Sequence, residues 1–592
     1  MIDSASGPHR FGPGSEEPAF APLFIETVRI RNFRGIADCR VVLEPDLTLL
    51  VGRNNSGKSR LLRALAIALG GVPAERDDLS YPAAGEATID IVLAPRCGPG
   101  PEQVFDQKVT RRLAQTYSIG SGPTRERFAW RTTLFESREG FGVFTRHVPL
   151  VYESAVGDWV FVANAPQLTL DQRAIVSADL FHTSRDLAED MGRRNSPIRR
   201  ILDDLEIPAD LRRQLESRLK SLGDDIVEDS DSLTALRASL GYLADSVDGL
   251  GAASLTALPV RLEDLARSVS IDFNTGTGSL PIRFHGSGSR SLSALQVQSV
   301  LYQRRLGRDG PALLPHPVSL IEEPEAHLHP QAQLELPTLL ETAQGQVVAT
   351  THSALLSSIV EPRCLRLLGW KEGGPVVRDL SGLEGEDVVE KLRRLVERPF
   401  GELLFAAAVV VVDGATERAF LPPVLRSALG RRAYGVSVVD TNGMGTPYAF
   451  AVVRFAERVG MPWILFADSD RPGRTAADRI LQAFHGSPTQ VVWSGSGAPV
   501  RSGALEKLLC DFDEATCRAA CETLGPVEPG TATLTAMKSS KGAIGHVLAR
   551  EFLRAHPWSD GASYGRPDWP APLVELVTKV HQIMEGDGAG AR

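Results

Sequence analysis

VVVVDGATE (Val409–Glu417) and ILFADSD (Ile464–Asp470) are short apolar runs that each end in acidic residues. Apolar runs of this length, bounded by Gly and Asp, read as buried strands of a parallel sheet. Such a strand delivers the residues after it to the carboxyl edge of the sheet, where ligands bind. Asp413, Glu417, Asp468 and Asp470 are therefore expected at one edge. Four carboxylates there repel one another unless a cation sits among them, and oxygen ligands of this kind suit Mg²⁺ or Mn²⁺.

A second site stands near the other end of the chain. Alternating apolar residues around Val28, Ile30 and Phe33 predict a strand, as do Val41–Leu43 and Leu47–Val51. GRNNSGKS (Gly52–Ser59) comes next, and Leu61, Leu62, Leu65 and Leu69 then mark one face of a helix. Strand, GxxxxGKS, helix is the context that a phosphate-binding loop requires. Asn54, Asn55, Ser56 and Gly57 would line the phosphate cradle, Lys58 would reach the β and γ phosphates of ATP, and Ser59 would hold Mg²⁺. Further on, PVSLIEEPEAHLHP sets Glu322 and Glu323 behind an apolar strand. Glu322 is assigned to the metal and Glu323 to polarising the attacking water. QVVATTHS is another buried strand, ending in His352 near the γ-phosphate. GSGSRS (Gly286–Ser291) precedes a helix and offers Ser287 and Gly288 as a second phosphate-binding element. His327 and His329 read as turn residues rather than zinc ligands.

Composition sets the frame. A chain of 592 residues is too long for one core. Net charge is 64 − 73 = −9, so the whole chain is no basic nucleic-acid binder, although local patches can be basic. The six cysteines lack a CxxC spacing, which fits a reduced, cytoplasmic setting and argues against a structural zinc. Apolar runs reach only about ten residues, too short to span a bilayer. Residues 1–22 are polar and rich in Gly, Pro and Ser, and read as a flexible tail without a secretory signal. Between Ser177 and Asp272 the texture becomes Leu-rich at helical spacing, as in ILDDLEIPADLRRQLESRLKSL. Arg193, Arg194, Arg199, Arg200, Arg212 and Arg213 on these segments read mainly as a solvated face.

IRNFRGI, GRNNSGKS, GSGSR, LIEEPEAHLHP and TTHS, in this order, resemble the ABC-type ATPases of the structural-maintenance and recombination-repair class. With the two acidic motifs, the chain resembles the OLD (overcoming lysogenization defect) family of ATPase-nucleases, over roughly Leu23 to Leu553 apart from the Leu-rich helical segment. The Gabija anti-phage nuclease subunit belongs to that family. The resemblance implies an α/β protein in which an ABC-type P-loop ATPase domain with a helical insertion is followed by a Toprim α/β domain with a parallel sheet. The expected boundaries are 23–176 and 273–398 for the ATPase, 177–272 for the insertion, 399–555 for the Toprim domain and 556–592 for a C-terminal tail. It implies a homodimer or higher even oligomer, since the signature of one such ATPase subunit closes on the phosphate loop of another; the insertion is then a dimer contact. One branch of the family works with a helicase-like partner.

The Toprim pattern of the family is EGxxE followed by DxD. This chain reads Asp413-Gly-Ala-Thr-Glu417, so aspartate replaces the first glutamate, while Asp468 and Asp470 match the DxD. Glu506 in GALEKLL stands where related nucleases carry a further acidic ligand, and Lys541, or alternatively Lys538, is the basic residue facing the scissile phosphate. Metal ligands are thus expected at Asp413, Glu417, Asp468, Asp470 and Glu506, with Glu417 and Asp468 also catalytic. Two divalent cations bridging a phosphate activate a water and stabilise the leaving oxygen, which is phosphodiester hydrolysis. The expectation is a Mg²⁺- or Mn²⁺-dependent DNA endonuclease controlled by an ATPase dimer, in phage defence or DNA processing by resemblance. A repair or recombination ATPase whose Toprim domain mainly binds DNA, and an RNA-cleaving toxin, remain open beside it.

Overall fold

The computed structural model describes residues 19–79, 86–96, 103–113, 118–119, 125–136, 142–162, 165–181, 208–234, 272–274, 279–281, 313–326, 328–371, 374–380, 401–495, 503–528, 530–539, 543–558 and 569–588. They fall into two compact units. The first unit comprises residues up to Ala21, Phe181–Pro317 and Pro324–His329. Its described parts include the helix Ala209–Glu228, the hairpin Asp272–Asn274 with Ser279–Pro281, and a parallel pair of Ala19–Phe20 with Leu313–Leu314. The helix lies within the stretch where Leu-rich spacing predicts one, and it begins directly after Pro208, whose fixed φ suits a helix start.

The second unit holds both candidate sites. It opens with an antiparallel sheet in the order Ile36–Val42, Leu23–Phe33, Ala87–Pro95, Glu126–Glu136, Val143–Glu153, Asp158–Phe161. Leu23 and Ile25 point inward at odd positions, Val28 and Ile30 at even ones. An irregularity between Ile25 and Thr27 makes the switch, because one extra residue in a strand reverses which face its successors occupy. A second sheet runs Val176–Phe181, His316–Glu322, Gln346–Thr351, Leu47–Gly52, Leu365–Lys371, Gly374–Asp379. The strands from His316–Glu322 to Leu365–Lys371 are parallel, and the last pairs antiparallel. The buried Gln346 amide ties the two sheets: it accepts from Ile25 N at 2.9 Å and donates to Ile25 O at 2.9 Å and Glu44 O at 2.8 Å. Arg366, only 1% exposed, donates to Val42 O and to the Glu44 carboxylate, each at 2.6 Å. Polar groups so deep persist only when fully paired, and they fix how the sheets pack.

The third sheet is the C-terminal one: Val436–Asp440, Ala408–Val412, Trp463–Ala467 and Val491–Trp493, all parallel. All five residues of Ala408–Val412 are buried, as a central parallel strand requires. The helices Ala415–Leu429, Leu505–Phe512, Glu514–Leu524, Ala543–Ala555 and Ala571–Gly588 share one apolar core with this sheet.

Two sequence-derived boundaries shift. Residues 177–181, expected in the helical insertion, belong to the strand Val176–Phe181 of the ATPase sheet; buried Val176, Ala178 and Phe181 mark it as core-facing. The C-terminal tail, in which VELVTKVHQIMEG reads as a short helix able to dock on the Toprim domain or on a partner, contains the helix Ala571–Gly588, whose Leu573, Leu576, Val577 and Val580 are buried in the core of the C-terminal domain. Their three- and four-residue spacing is that of a helix face, and burying such a face holds the segment in place. No helix among the described residues is long and apolar enough to cross a membrane.

Candidate functional site

Register brings the nucleotide residues together. Glu322 stands opposite Thr350, and Thr351 opposite Val51, so Glu322, His352 and the Gly52–Ser59 loop leave one carboxyl edge side by side. The loop turns through left-handed conformations at Asn55 (φ 68°) and Gly57 (φ 95°), and Gly57 starts the helix Lys58–Ala68. Such values come readily only to Gly and, less so, to Asn. Lys58 is buried, and its Nζ donates to Gly52 O at 2.7 Å, Arg53 O at 3.0 Å and Ser56 Oγ at 3.5 Å. Asn54, Asn55 and Ser59 are exposed at the mouth. Glu323 also has a positive φ, 46°, and its N–H bonds to Thr350 O at 3.0 Å and Thr350 Oγ1 at 3.2 Å. A glutamate held in that strained conformation is typical of a functional position. His352 Nε2 lies 3.5 Å from Glu323 Oε1, which brings together the glutamate expected to polarise the attacking water and the expected γ-phosphate contact. Ser287, Gly288 and His327 lie outside the described residues.

The acidic edge is assembled from more distant pieces. Val412 pairs with Asp440 on one side and Phe466 on the other, and Ala467 pairs with Trp493. The residues just past these strands, Asp413, Thr441, Asp468 and Ser494, therefore share one edge. Glu417 lies in the first turn of the helix Ala415–Leu429 and Glu506 in the first turn of Leu505–Phe512, both buried. Ser469 and Ser494 bring the Glu506 helix in. Ser469 Oγ accepts from Gly503 N at 2.9 Å, and Gly503 O accepts from Ser469 N at 3.1 Å and Ser494 Oγ at 2.6 Å. Asp470 caps the helix Arg471–Ala483, accepting from Gly473 N at 2.8 Å. A Cβ on Gly473 would fall 2.3 Å from Asp468 O, so only glycine lets this turn close.

Electrostatics single out two of the acids. Burial pushes the Glu417 carboxyl up to about 8, and Glu506, Asp468 and Asp413 push the same way. Burial, then Asp413, Glu506 and Asp470, lift Asp468 to about 7 against a weak bond from Ser494. The largest charge effects on both come from other acids. Hard oxygen donors that repel one another fit a divalent cation such as Mg²⁺ or Mn²⁺. Among the described residues, no group of three or more His, Cys, Asp or Glu is already drawn in as a finished metal cage.

Asp413 differs from its neighbours: Oδ1 accepts from Met444 N at 2.5 Å and Oδ2 from Asp468 N at 3.1 Å. Lys541 lies outside the described residues, and Lys538 is exposed in the last turn of the helix Thr533–Ser539. Sequence reading missed Ser469, Ser494 and the Thr441–Met444 loop. Ser494 had a signal, since it comes after VVW as the acids come after their strands.

Comparisons with known proteins match both halves of the chain to families. Residues 47–358 match the family described as AAA domain, putative AbiEii toxin, Type IV TA system. Residues 404–470 match the overcoming lysogenization defect protein-like Toprim domain, a span that includes Asp413, Glu417, Asp468 and Asp470 and ends before Glu506. The chain is 24% identical to an OLD nuclease of Thermus scotoductus over 481 residues, covering 75% of this chain and 82% of that protein. It is 27% identical to the uncharacterized protein YbjD of Escherichia coli over 507 residues, 77% and 82% of the two chains. Among solved structures, an SMC head bound to the C-terminal winged-helix domain of ScpA aligns at a TM-score of 0.36 and 15% identity, over 61% of this chain and all of that one.

Proposed function

Because the chain belongs to the family described as AAA domain, putative AbiEii toxin, Type IV TA system, and carries an OLD-like Toprim domain behind it, we propose that it is a divalent-metal-dependent DNA endonuclease whose cleavage is governed by ATP at the phosphate loop. The observation that carries the reading is that Glu417 and Asp468, at one sheet edge, are each pushed up by burial and by the acids Asp413 and Glu506. Mg²⁺ or Mn²⁺ bound there would activate a water and stabilise the leaving oxygen of a phosphodiester. The protein's own part is to hold acceptor oxygens in place: Glu417 by its helix, Asp468 by its strand end, Glu506 through the Ser469–Gly503–Ser494 hydrogen bonds. At the other edge, Lys58 and the turned loop would cradle the phosphates, Ser59 and Glu322 would hold Mg²⁺, and Glu323 beside His352 would orient the attacking water.

Control by ATP is supported by a direct link inside the second unit. Arg53, within the phosphate loop, donates from Nε to Phe405 O at 3.2 Å, at the entrance to the Toprim sheet. Arg458 pairs with Asp379 at 3.0 Å, and Arg378 donates to Val459 O, joining the two domains again. A homodimer, a role in phage defence and a helicase-like partner rest on the family resemblance alone.

The test is cleavage of supercoiled plasmid, linear DNA and RNA with Mg²⁺, Mn²⁺ or chelator, for the wild type and Asp468→Ala. DNA cleavage that needs the metal and vanishes in Asp468→Ala is expected. Cleavage of RNA alone would make this a ribonuclease. Tight DNA binding without cleavage would favour a DNA-binding repair ATPase, a reading supported by the two N–H bonds that already occupy Asp413.

A further inference from the structure

We infer that Asp413 is a positioning residue and not a metal ligand: its carboxylate clamps the loop after Val436–Asp440 to the end of Trp463–Ala467 and so fixes where Asp468 stands. The inference rests on the reading of this edge as a metal-dependent nuclease site, and it narrows the ligands to Glu417, Asp468, Asp470 and Glu506.

Asp413 gathers two neighbouring strands. Its side chain takes Met444 N–H at 2.5 Å and Asp468 N–H at 3.1 Å, and its main-chain oxygen takes Gly443 N–H at 2.7 Å. The loop it holds needs holding. Asn442 (φ 50°) and Gly443 (φ 111°) are both in the left-handed region, which costs energy at Asn442. Thr441 folds back on the strand end, with its N–H and Oγ1 on Val412 O at 3.1 and 2.9 Å. Met444, 1% exposed, is buried as a result. A carboxylate that accepts two backbone N–H groups, one on each oxygen, makes charge-assisted bonds of the stronger kind. To ligate a cation it would have to share or surrender them.

Side-chain length points the same way. Glutamate would carry the carboxylate one carbon, about 1.5 Å, further out. There it could meet a cation but would overshoot the two N–H groups that Asp413 reaches. The aspartate is therefore suited to the clamp, and the cation is left to Glu417, Asp468, Asp470 and Glu506.

Mn²⁺ binding to the full-length chain, read by electron paramagnetic resonance of the unbound ion, tests this with Asp413→Asn, Asp413→Glu and Asp468→Asn in parallel. Asp413→Asn keeps one acceptor oxygen at the right reach. It should bind the same number of Mn²⁺ ions with about tenfold weaker affinity, a typical loss for a group acting through a ligand. Asp413→Glu should bind about 100-fold more weakly than wild type, the upper end of that range. Asp413→Glu binding more tightly than Asp413→Asn overturns the inference in favour of a ligand. Unchanged affinity in both Asp413 variants, with only the melting temperature lowered, overturns it in favour of a purely structural role. Asp468→Asn is the control for the underlying reading: if it keeps full Mn²⁺ binding, the metal site is misassigned and the inference falls with it. Hydrogen exchange on the wild type needs no variant to fold. Amides of Met444 and Asp468 should stay protected when Mn²⁺ is added, whereas loss of protection at both would mean that the carboxylate has moved to the ion.

Discussion

At the carboxyl edge of Leu47–Gly52 a buried ammonium, Lys58, is surrounded by oxygens of Gly52, Arg53 and Ser56, whereas at the edge of Ala408–Val412 buried carboxylates face other carboxylates. Both edges belong to parallel sheets, and both would handle phosphate. They differ in what the protein already satisfies. Phosphates at the first site would replace acceptors that Lys58 already has, an exchange of like for like. A cation at the second would relieve a repulsion that folding itself creates. Ligand binding should therefore be coupled weakly to folding stability at the phosphate loop and strongly at the acidic edge.

Two substitutions should separate the edges most sharply. Asp468→Ala removes an acid lifted by burial and by Asp413, and cleavage should drop by about 100-fold or more, with ATP hydrolysis retained. Lys58→Ala should cut ATP hydrolysis by about 100-fold while Mn²⁺ binding at the acidic edge stays intact. Parallel assays of phosphate release and plasmid cleavage read both. Loss of ATP hydrolysis in Asp468→Ala, or of Mn²⁺ binding in Lys58→Ala, would mean that the two edges form one site.

The next effect is on stability. Glu417 ordinarily ionises near 4.5 and Asp468 near 3.8, but in the folded chain they do so near 8 and 7. At pH 6 the folded chain therefore holds protons that the unfolded chain has released. This contribution to stability is complete below about pH 4, shrinks as pH rises and is gone above about pH 8. The loss is on the order of a few kcal/mol for such buried groups. Melting temperatures in chelator should fall across this window more steeply for wild type than for Glu417→Gln, and Mn²⁺ should flatten the wild-type curve. Identical slopes for wild type and Glu417→Gln would show that Glu417 is not under this strain.

The same contrast explains what the sequence disclosed. The phosphate loop is one contiguous octapeptide, and its proposed partners Glu322, Glu323 and His352 come directly after apolar strands, so local pattern was enough to propose them. The acidic edge draws on segments scattered from Asp413 to Glu506. The strand-end acids were legible because each comes after an apolar run. The work of Ser469 and Ser494 was not, because it consists of hydrogen bonds to Gly503, a contact between segments with no periodicity to announce it. Asp413 shows the limit most clearly. Its identity could be read as a shortened glutamate, but the N–H groups of Met444 and Asp468 that occupy it come from two other strands. The C-terminal helix is legible as a helix from its spacing, and its place in the core depends on what its apolar face meets.

The smallest expected effect lies between the edges. Arg53 contributes to both: its main-chain oxygen accepts from Lys58 Nζ at 3.0 Å, and its side chain donates to Phe405 O at 3.2 Å. The guanidinium also lies against Gly435, where a Cβ would come within 2.6 Å of it. Gly435 O in turn accepts from Ala407 N at 2.7 Å, one residue before the strand that ends in front of Asp413. A nucleotide that draws Lys58 toward its phosphates weakens its hold on the Arg53 carbonyl, and any shift of Arg53 is passed to the start of that strand. The Arg53 side chain is exposed, so its hydrogen bond is worth on the order of 1 kcal/mol, about fivefold in a rate or equilibrium. Arg53→Ala should therefore bind a non-hydrolysable ATP analogue nearly as well as wild type, yet lose up to about fivefold of the change that the analogue causes in cleavage rate. Cleavage in Arg53→Ala that responds to the analogue as fully as wild type would place the coupling elsewhere, with the Arg378–Val459 and Arg458–Asp379 contacts as the remaining bridges.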